Sequence, residues 1–199
     1  MRTLGLIVSA FMAAATPAFA QQTGEAPSVP ASDAKPKKPA EARAEQLDIL
    51  FARLHKADAA AAGDIEQKIW ALWSTSDSPT AEVLLQESQK AIDGGAPAEA
   101  LSILNRLIGA YPDFAEAWNK RATLYYLMKK DDASLADIGK VLELEPRHFG
   151  AIAGRGMIYQ REKKYALALD SFRDALAINP GMDAVRSAIK DIERMEQGI

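Results

Sequence analysis

The stretch from Ala115 to His148 reads AEAWNKRATLYYLMKKDDASLADIGKVLELEPRH, and the 34 residues after it repeat its pattern. The second copy, from Phe149 to Met182, reads FGAIAGRGMIYQREKKYALALDSFRDALAINPGM. Large, small and aromatic residues recur at matching places, and a proline ends each copy. A period of this length predicts stacked pairs of antiparallel helices. The matching pairs are Trp118 and Ile152, Ala122 and Gly156, Tyr125 and Tyr159, Ile138 and Phe172, Val141 and Ala175, and Pro146 and Pro180.

This spacing of residue types resembles the tetratricopeptide repeat, a helix–turn–helix unit of 34 residues. Two clear repeats cover 115–148 and 149–182, and a weaker one covers 81–114, where Ser88 takes the place of the small residue. The resemblance implies an all-α fold, a solenoid of helical hairpins that forms an α-α superhelix.

The segments on either side of these repeats are also expected to be helical. Residues 41–78 predict a degenerate first repeat with helices near 41–62 and 63–74, or an N-terminal helical cap. Residues 183–197 carry apolar side chains on one helical face, which is typical of a capping helix that closes the open end of a solenoid. A role of this last helix in dimerisation is the alternative.

Gly156 occupies the small slot of its repeat, where the two helices are expected to cross most closely. A large side chain there would push the backbones apart. The sequence therefore predicts that Gly156→Leu destabilises the fold, whereas Gly156→Ala is near neutral or mildly stabilising, because glycine inside a helix costs about 1 kcal/mol relative to alanine.

The N-terminus predicts export. Residues 1–20 combine Arg2, a short apolar run and the sequence Ala18-Phe19-Ala20, which together are typical of a secretory signal peptide. Residues 21–40 contain four prolines and few large apolar residues, so they predict a disordered Pro/Ala/Lys tether. The expected location is therefore the periplasm or the exterior, and a retained membrane anchor is the alternative.

The composition gives no sign of catalysis. The chain has no cysteine, a net charge of −3 and two histidines, His55 and His148, that lie far apart in sequence. These features disfavour a metal site, a cofactor, a nucleic-acid partner and an enzyme, and the sequence predicts none of them. His148 is expected to be an exposed turn residue. The glycines of Gly154-Arg155-Gly156 lie in a predicted helix and so do not indicate a phosphate-binding loop.

In the tetratricopeptide family, the first helices of successive repeats line a concave groove that holds a segment of a partner. Some members grip a terminal carboxylate there with Lys, Asn and Arg. Asn119 and Lys120 would suit that role, but the next repeat offers small and apolar residues, which favours an apolar groove or simply a tight superhelix. The candidate groove residues are Glu116, Asn119, Lys120, Thr123, Tyr126, Ala153, Met157 and Gln160.

Arg121 and Arg155 stand one period apart, each just before the small slot. A guanidinium that is buried between helices requires an acidic partner. Asp137 is the most suitable partner for either arginine, and Glu87, Asp170 or Asp174 are further candidates. The alternative is that both arginines extend their charged ends into solvent.

The resemblance implies a non-enzymatic adaptor or scaffold that binds a partner polypeptide in the groove of the solenoid. A self-assembling structural protein and an accessory subunit of an envelope enzyme or assembly complex are the alternatives. We expect no membrane span and a monomer or weak homodimer. The sequence does not identify the partner.

Overall fold

The computed structural model describes residues 38–197, with the backbone alone at 59 and 60. The predicted signal peptide and most of the predicted tether lie outside this range. The described residues form nine α-helices and no strand: α1 Pro39–Leu54, α2 Ala59–Trp73, α3 Pro79–Asp93, α4 Pro97–Ala110, α5 Ala115–Leu127, α6 Asp131–Leu144, α7 Phe149–Arg161, α8 Tyr165–Ile178 and α9 Asp183–Glu196.

Helices α3 to α8 form three consecutive helix pairs that follow the predicted repeats. Each helix packs against the next along the chain, and the first helices of neighbouring pairs also touch, α3 with α5 and α5 with α7. The first helices therefore form one layer and the second helices another. The all-α tetratricopeptide solenoid expected from the sequence is confirmed.

Local sequence sets the ends of these helices. Pro79 and Pro97 stand in the first turns of α3 and α4, where the missing N–H is not needed. Pro112 and Pro146 follow α4 and α6, which end before them because proline disfavours the helical conformation of the preceding residue. Lys129 turns the chain between α5 and α6 with a positive φ of 58°.

The small slot of the last repeat faces a large aromatic side chain. Ser88, Ala122 and Gly156 occupy this slot in successive repeats, and Leu104, Ile138 and Phe172 occupy the equivalent places on the second helices. At Gly156 an added Cβ would lie 2.6 Å from the Phe172 ring. The prediction that Gly156→Ala is near neutral is therefore wrong, because even a methyl group overlaps the ring.

Arg121 and Asp137 form the ion pair that the sequence predicts between the two helices of one repeat. The guanidinium donates to both carboxylate oxygens of Asp137 at 2.7 and 2.8 Å, and Asp137 is buried. This hydrogen bonding raises the pKa of Arg121 above its ordinary value. Ser171 takes the place of Asp137 one period later.

Arg155, one period after Arg121, is tied more loosely. Its Nε donates to Ser171 Oγ at 3.1 Å, and one terminal nitrogen reaches the exposed carboxylate of Asp174 at 3.3 Å. The two arginines therefore share a position in the repeat but not a buried acid.

The boundaries within the N-terminal hairpin differ from the predicted ones. Helix α1 begins at Pro39 and ends at Leu54, and α2 begins at Ala59, so the turn lies at 55–58 and not near 62. The side chain of Asp58 accepts a hydrogen bond from the Ala61 N–H at 2.9 Å and so caps α2. The cap fixes the start of this alanine-rich helix.

The hairpin of α1 and α2 packs differently from the three repeats. Its apolar residues form one cluster with Phe149 at the start of α7, and Ile178 and Met182 beside the α8–α9 turn pack against that cluster. Helices α2 and α3 are not in extensive contact, although each later helix is in extensive contact with the next. The hairpin thus lies across the turns between repeats.

Helix α9 packs on the last repeat. Val185 and Ile192 are buried in the cluster built from α7 and α8, whereas Met195 remains half exposed to solvent. The apolar side of this helix covers residues that a further repeat would otherwise cover.

Candidate functional site

An apolar groove runs between α5 and α7, the first helices of the two clear repeats. It contains a cavity of 340 Å³. The small residues Gly150, Ala153 and Gly154 line the α7 side and make room for it, while Leu127 and Met157 stand exposed at its edge. A cavity of this size suits one or two apolar side chains of a bound segment. The groove lining also includes Asn119, Thr123, Tyr126 and Met182.

The predicted groove residues do not all face this cavity. Thr123 and Met157 are exposed to it, and Ala153 forms part of its buried wall. Tyr126 lines it but is held by Arg161, whose guanidinium carbon lies 3.9 Å from the centre of the tyrosine ring. Gln160 is half-buried and does not line the cavity.

Glu116, Asn119 and Lys120 were predicted to face a partner, but the structure turns them toward one another. Glu116 is 1% exposed. Asn119 Nδ2 donates to its carboxylate at 3.0 Å, and Lys120 Nζ lies 3.6 Å from its other oxygen. Asn119 and Lys120, which would suit a partner's carboxylate, therefore already bind the carboxylate of Glu116 in their own helix. The assignment of Glu116 to the exposed groove surface is wrong.

His148 is fully buried, so the expectation of an exposed turn residue is wrong. Its Nδ1 accepts the Ala151 N–H at 3.1 Å and thereby caps α7. Because Nδ1 accepts, the proton of the neutral ring is on Nε2, which lies 3.3 Å from Glu116 Oε2 and donates to it. The ring also stacks on Trp73, with centroids 4.0 Å apart.

The sequence analysis also does not predict that Trp70 covers Gly150. The Trp70 ring lies so close to this glycine that an added Cβ would be 2.5 Å from Trp70 Cη2. Trp70 also meets the rings of His148 and Phe149 edge to face. The sequence does contain a signal for this contact. Two tryptophans stand three residues apart in α2, and side chains of this size are expected to pack against another part of the chain and not to face solvent.

Two further features were sought among the described residues, a cluster of metal ligands and a membrane-spanning helix. Within 38–197 no three His, Asp or Glu side chains converge as metal ligands. None of the nine helices is long and apolar enough to cross a membrane.

Comparisons with known proteins agree with this architecture. The tetratricopeptide repeat family model matches residues 115–148 and 150–182. A TPR repeat-containing protein of Rhizobium etli is 38% identical over 137 residues, which is 68% of this chain and 67% of that protein.

Among the solved structures that are similar in fold are two tetratricopeptide domains. The first tetratricopeptide domain of Spaghetti (RPAP3), bound to the HSP90 peptide SRMEEVD, has a TM-score of 0.57 at 21% identity and covers 61% of this chain and 96% of that one. The tetratricopeptide domain of P58(IPK) has a TM-score of 0.55 at 27% identity and covers 59% of this chain and 34% of that one. The fold points to protein–protein interaction, and the chain belongs to the tetratricopeptide repeat family.

Proposed function

We propose that this chain is an exported, non-enzymatic adaptor or scaffold that holds an apolar segment of a partner polypeptide in the groove between α5 and α7. The observation that carries the proposal is the 340 Å³ cavity between the two first helices, with Leu127 and Met157 exposed at its edge. Apolar side chains of a partner would be withdrawn from water there without a large rearrangement of the groove.

The charges around the groove favour an internal apolar segment of the partner over its terminal carboxylate. Asn119 and Lys120 are engaged by Glu116, and Arg161 is engaged by Asp131 and the Tyr126 carbonyl. The residues that line the cavity itself include no charged side chain. A terminal carboxylate would enter this lining without a free cation to pair with, which is unfavourable.

Export to the periplasm is part of the proposal and rests on the signal-like sequence of residues 1–20. Sequencing the N-terminus of the mature protein, with cleavage expected after Ala20, tests this part alone. A mature protein that still begins at Met1 would contradict it and leave the groove proposal untouched.

The groove proposal is tested by crosslinking in the native cell envelope. A photoreactive amino acid at Met157 should capture a partner, whereas the same group at Ala136, an exposed residue of α6 that does not line the groove, should not. In a second experiment the photoreactive group is at Thr123. Met157→Glu should then abolish capture, because it places a charge beside the apolar cavity.

Leu144→Glu is the matched control, since Leu144 is 41% exposed and Met157 is 43% exposed, and Leu144 does not line the groove. Equal capture by both variants would overturn the proposal. Circular dichroism of each variant establishes that the fold is intact.

A further inference from the structure

Beside the groove lies a second surface, which α2 covers in this structure. It is formed by His148, Phe149 and Gly150 at the start of α7, together with Asn179 in the α8–α9 turn, and we call it the α2-covered surface. His148 and Asn179 are both fully buried beneath the hairpin. It adjoins the groove cavity, since Gly150 belongs to both, but Met157 at the edge of that cavity is exposed and not covered by α2.

Three side chains of α2 are recognised there, each by a different chemistry. The Trp70 ring lies on Gly150, where any side chain would collide with it. The Trp73 ring stacks on His148 at an interplanar angle of 11°. The Glu66 carboxylate accepts from Asn179 Nδ2 at 2.9 Å and from the Trp70 indole at 3.2 Å.

The hairpin does not fill its interface completely. A cleft of 500 Å³ remains between the hairpin and the turn that precedes α5, lined by Arg43, Trp73 and Tyr111 among others. The indole N–H of Trp73 is buried without a hydrogen-bond partner, which opposes docking. Residues 74–78, which lie between α2 and α3, are the hairpin's connection to the repeats, and α2 and α3 are not in extensive contact.

We propose that the α2-covered surface is a helix-docking site that the chain's own α2 occupies reversibly. When α2 leaves, the surface accepts an amphipathic helix of a partner protein. That helix presents two large aromatic side chains three positions apart and a carboxylate four positions before the first aromatic residue. Its aromatic residues would lie on Gly150 and His148, and its carboxylate would accept from Asn179.

The proposal rests on the proposed function only in that both treat the chain as a binder of polypeptides. Its test uses a labelled peptide of residues 38–76 as the probe and the full chain as the receptor, with fluorescence anisotropy as the readout. The intact receptor should bind the probe at least tenfold more weakly than a W70A/W73A receptor, because its own α2 competes at high effective concentration.

One variant of the probe and two of the receptor define the two sides of the site. A probe that carries both tryptophan-to-alanine changes should not bind the W70A/W73A receptor. Adding Gly150→Leu to that receptor should weaken binding of the unmodified probe at least tenfold. Gly139→Leu should have no effect on probe binding, since Gly139 has open space around it.

Equal affinity of the two receptors, equal affinity of the two probes, or unchanged binding to the Gly150→Leu receptor would each overturn the proposal. Loss of amide-exchange protection in α2 of the W70A/W73A receptor, with α7 and α8 still protected, verifies that the receptor is folded with its surface uncovered. Capture at Met157 is measured on a chain that keeps Trp70, Trp73 and Gly150, so failure here is distinguishable from failure of the groove proposal.

Discussion

The N-terminal hairpin and the three repeats are all helix pairs, yet they are stabilised by different contacts. In the repeats each helix packs on the next along the chain, and a small residue on one helix accommodates a larger one on the other. The hairpin instead depends on two tryptophans that meet residues more than seventy positions away. Helix pairs with the same local structure therefore pack in two different ways. The repeats are held by neighbours in sequence, and the hairpin is held by distant turns.

The largest effect is expected from removing an aromatic ring from the hairpin. Trp73→Ala should cost about 3–5 kcal/mol, as for other large buried aromatic residues, and the loss should be confined to α1 and α2. Amide exchange measures this as reduced protection in α2 with unchanged protection in α8. Ile49→Ala, an exposed change in the same hairpin, is the control. Equal loss of protection in α2 and α8 would show that the hairpin is not a separate unit.

Removing the buried acid of the repeats should cost somewhat less but act on the whole stack. Asp137→Ala leaves Arg121 part-buried without its carboxylate, at about 3 kcal/mol. Asp174→Ala removes an exposed partner of Arg155 and should cost less than about 1 kcal/mol. Urea unfolding followed by circular dichroism compares the two, and similar midpoints would argue against a structural role for the buried pair.

The glycine slot should give a moderate effect that is specific to one position of α7. Gly156→Ala should destabilise by about 1–3 kcal/mol, since its Cβ overlaps the Phe172 ring. At Gly154 an added Cβ would lie 3.7 Å from Ile138 Cδ1, an ordinary contact. Gly154→Ala should therefore stabilise by up to about 1 kcal/mol. Thermal melts that rank the two variants in the opposite order would contradict the packing described for this repeat.

The smallest effect is expected at the ion pair between Asp48 of the hairpin and Arg147 of the repeats. Arg147 Nη1 donates to Asp48 at 2.6 Å, but Asp48 is largely exposed. Burial lowers the pKa of Arg147, but its hydrogen bonds and charge interactions with Glu145 and Asp48 together outweigh burial and leave the pKa raised. Asp48→Ala should change the protection of α2 by less than about 1 kcal/mol. A loss as large as that of Trp73→Ala would mean that charge, and not aromatic packing, holds the hairpin.

The sequence predicted the repeats well because their determinants are local. The 34-residue period located α3 to α8, and the prolines placed the ends of the helices. The pairing of Arg121 with Asp137 was accessible because both lie in one repeat, 16 positions apart. The cost of burying an unpaired guanidinium, together with an acid in the same repeat, was enough to predict the pair.

The hairpin and the groove surface were predicted less well because their determinants are distant. His148 is buried because the distant Trp73 stacks on it. Trp70 packs on Gly150, but the repeat pattern treats Gly150 as an ordinary residue of a first helix. The error at Gly156 has another cause. Its tolerance of alanine depends on where the Phe172 ring points, and spacing alone does not specify a side-chain rotamer.

The contacts of the hairpin also affect how the chain folds. A simple solenoid is nearly one-dimensional, since each repeat needs only its neighbours. Here Asp48 meets Arg147 across 99 positions, and Glu66 meets Asn179 across 113. During synthesis the hairpin is made well before the turns that it covers. The repeats can therefore assemble early, whereas Trp70 and Trp73 must remain exposed until α7 and α8 exist, so the slowest step of folding is expected to be the closure of this long loop.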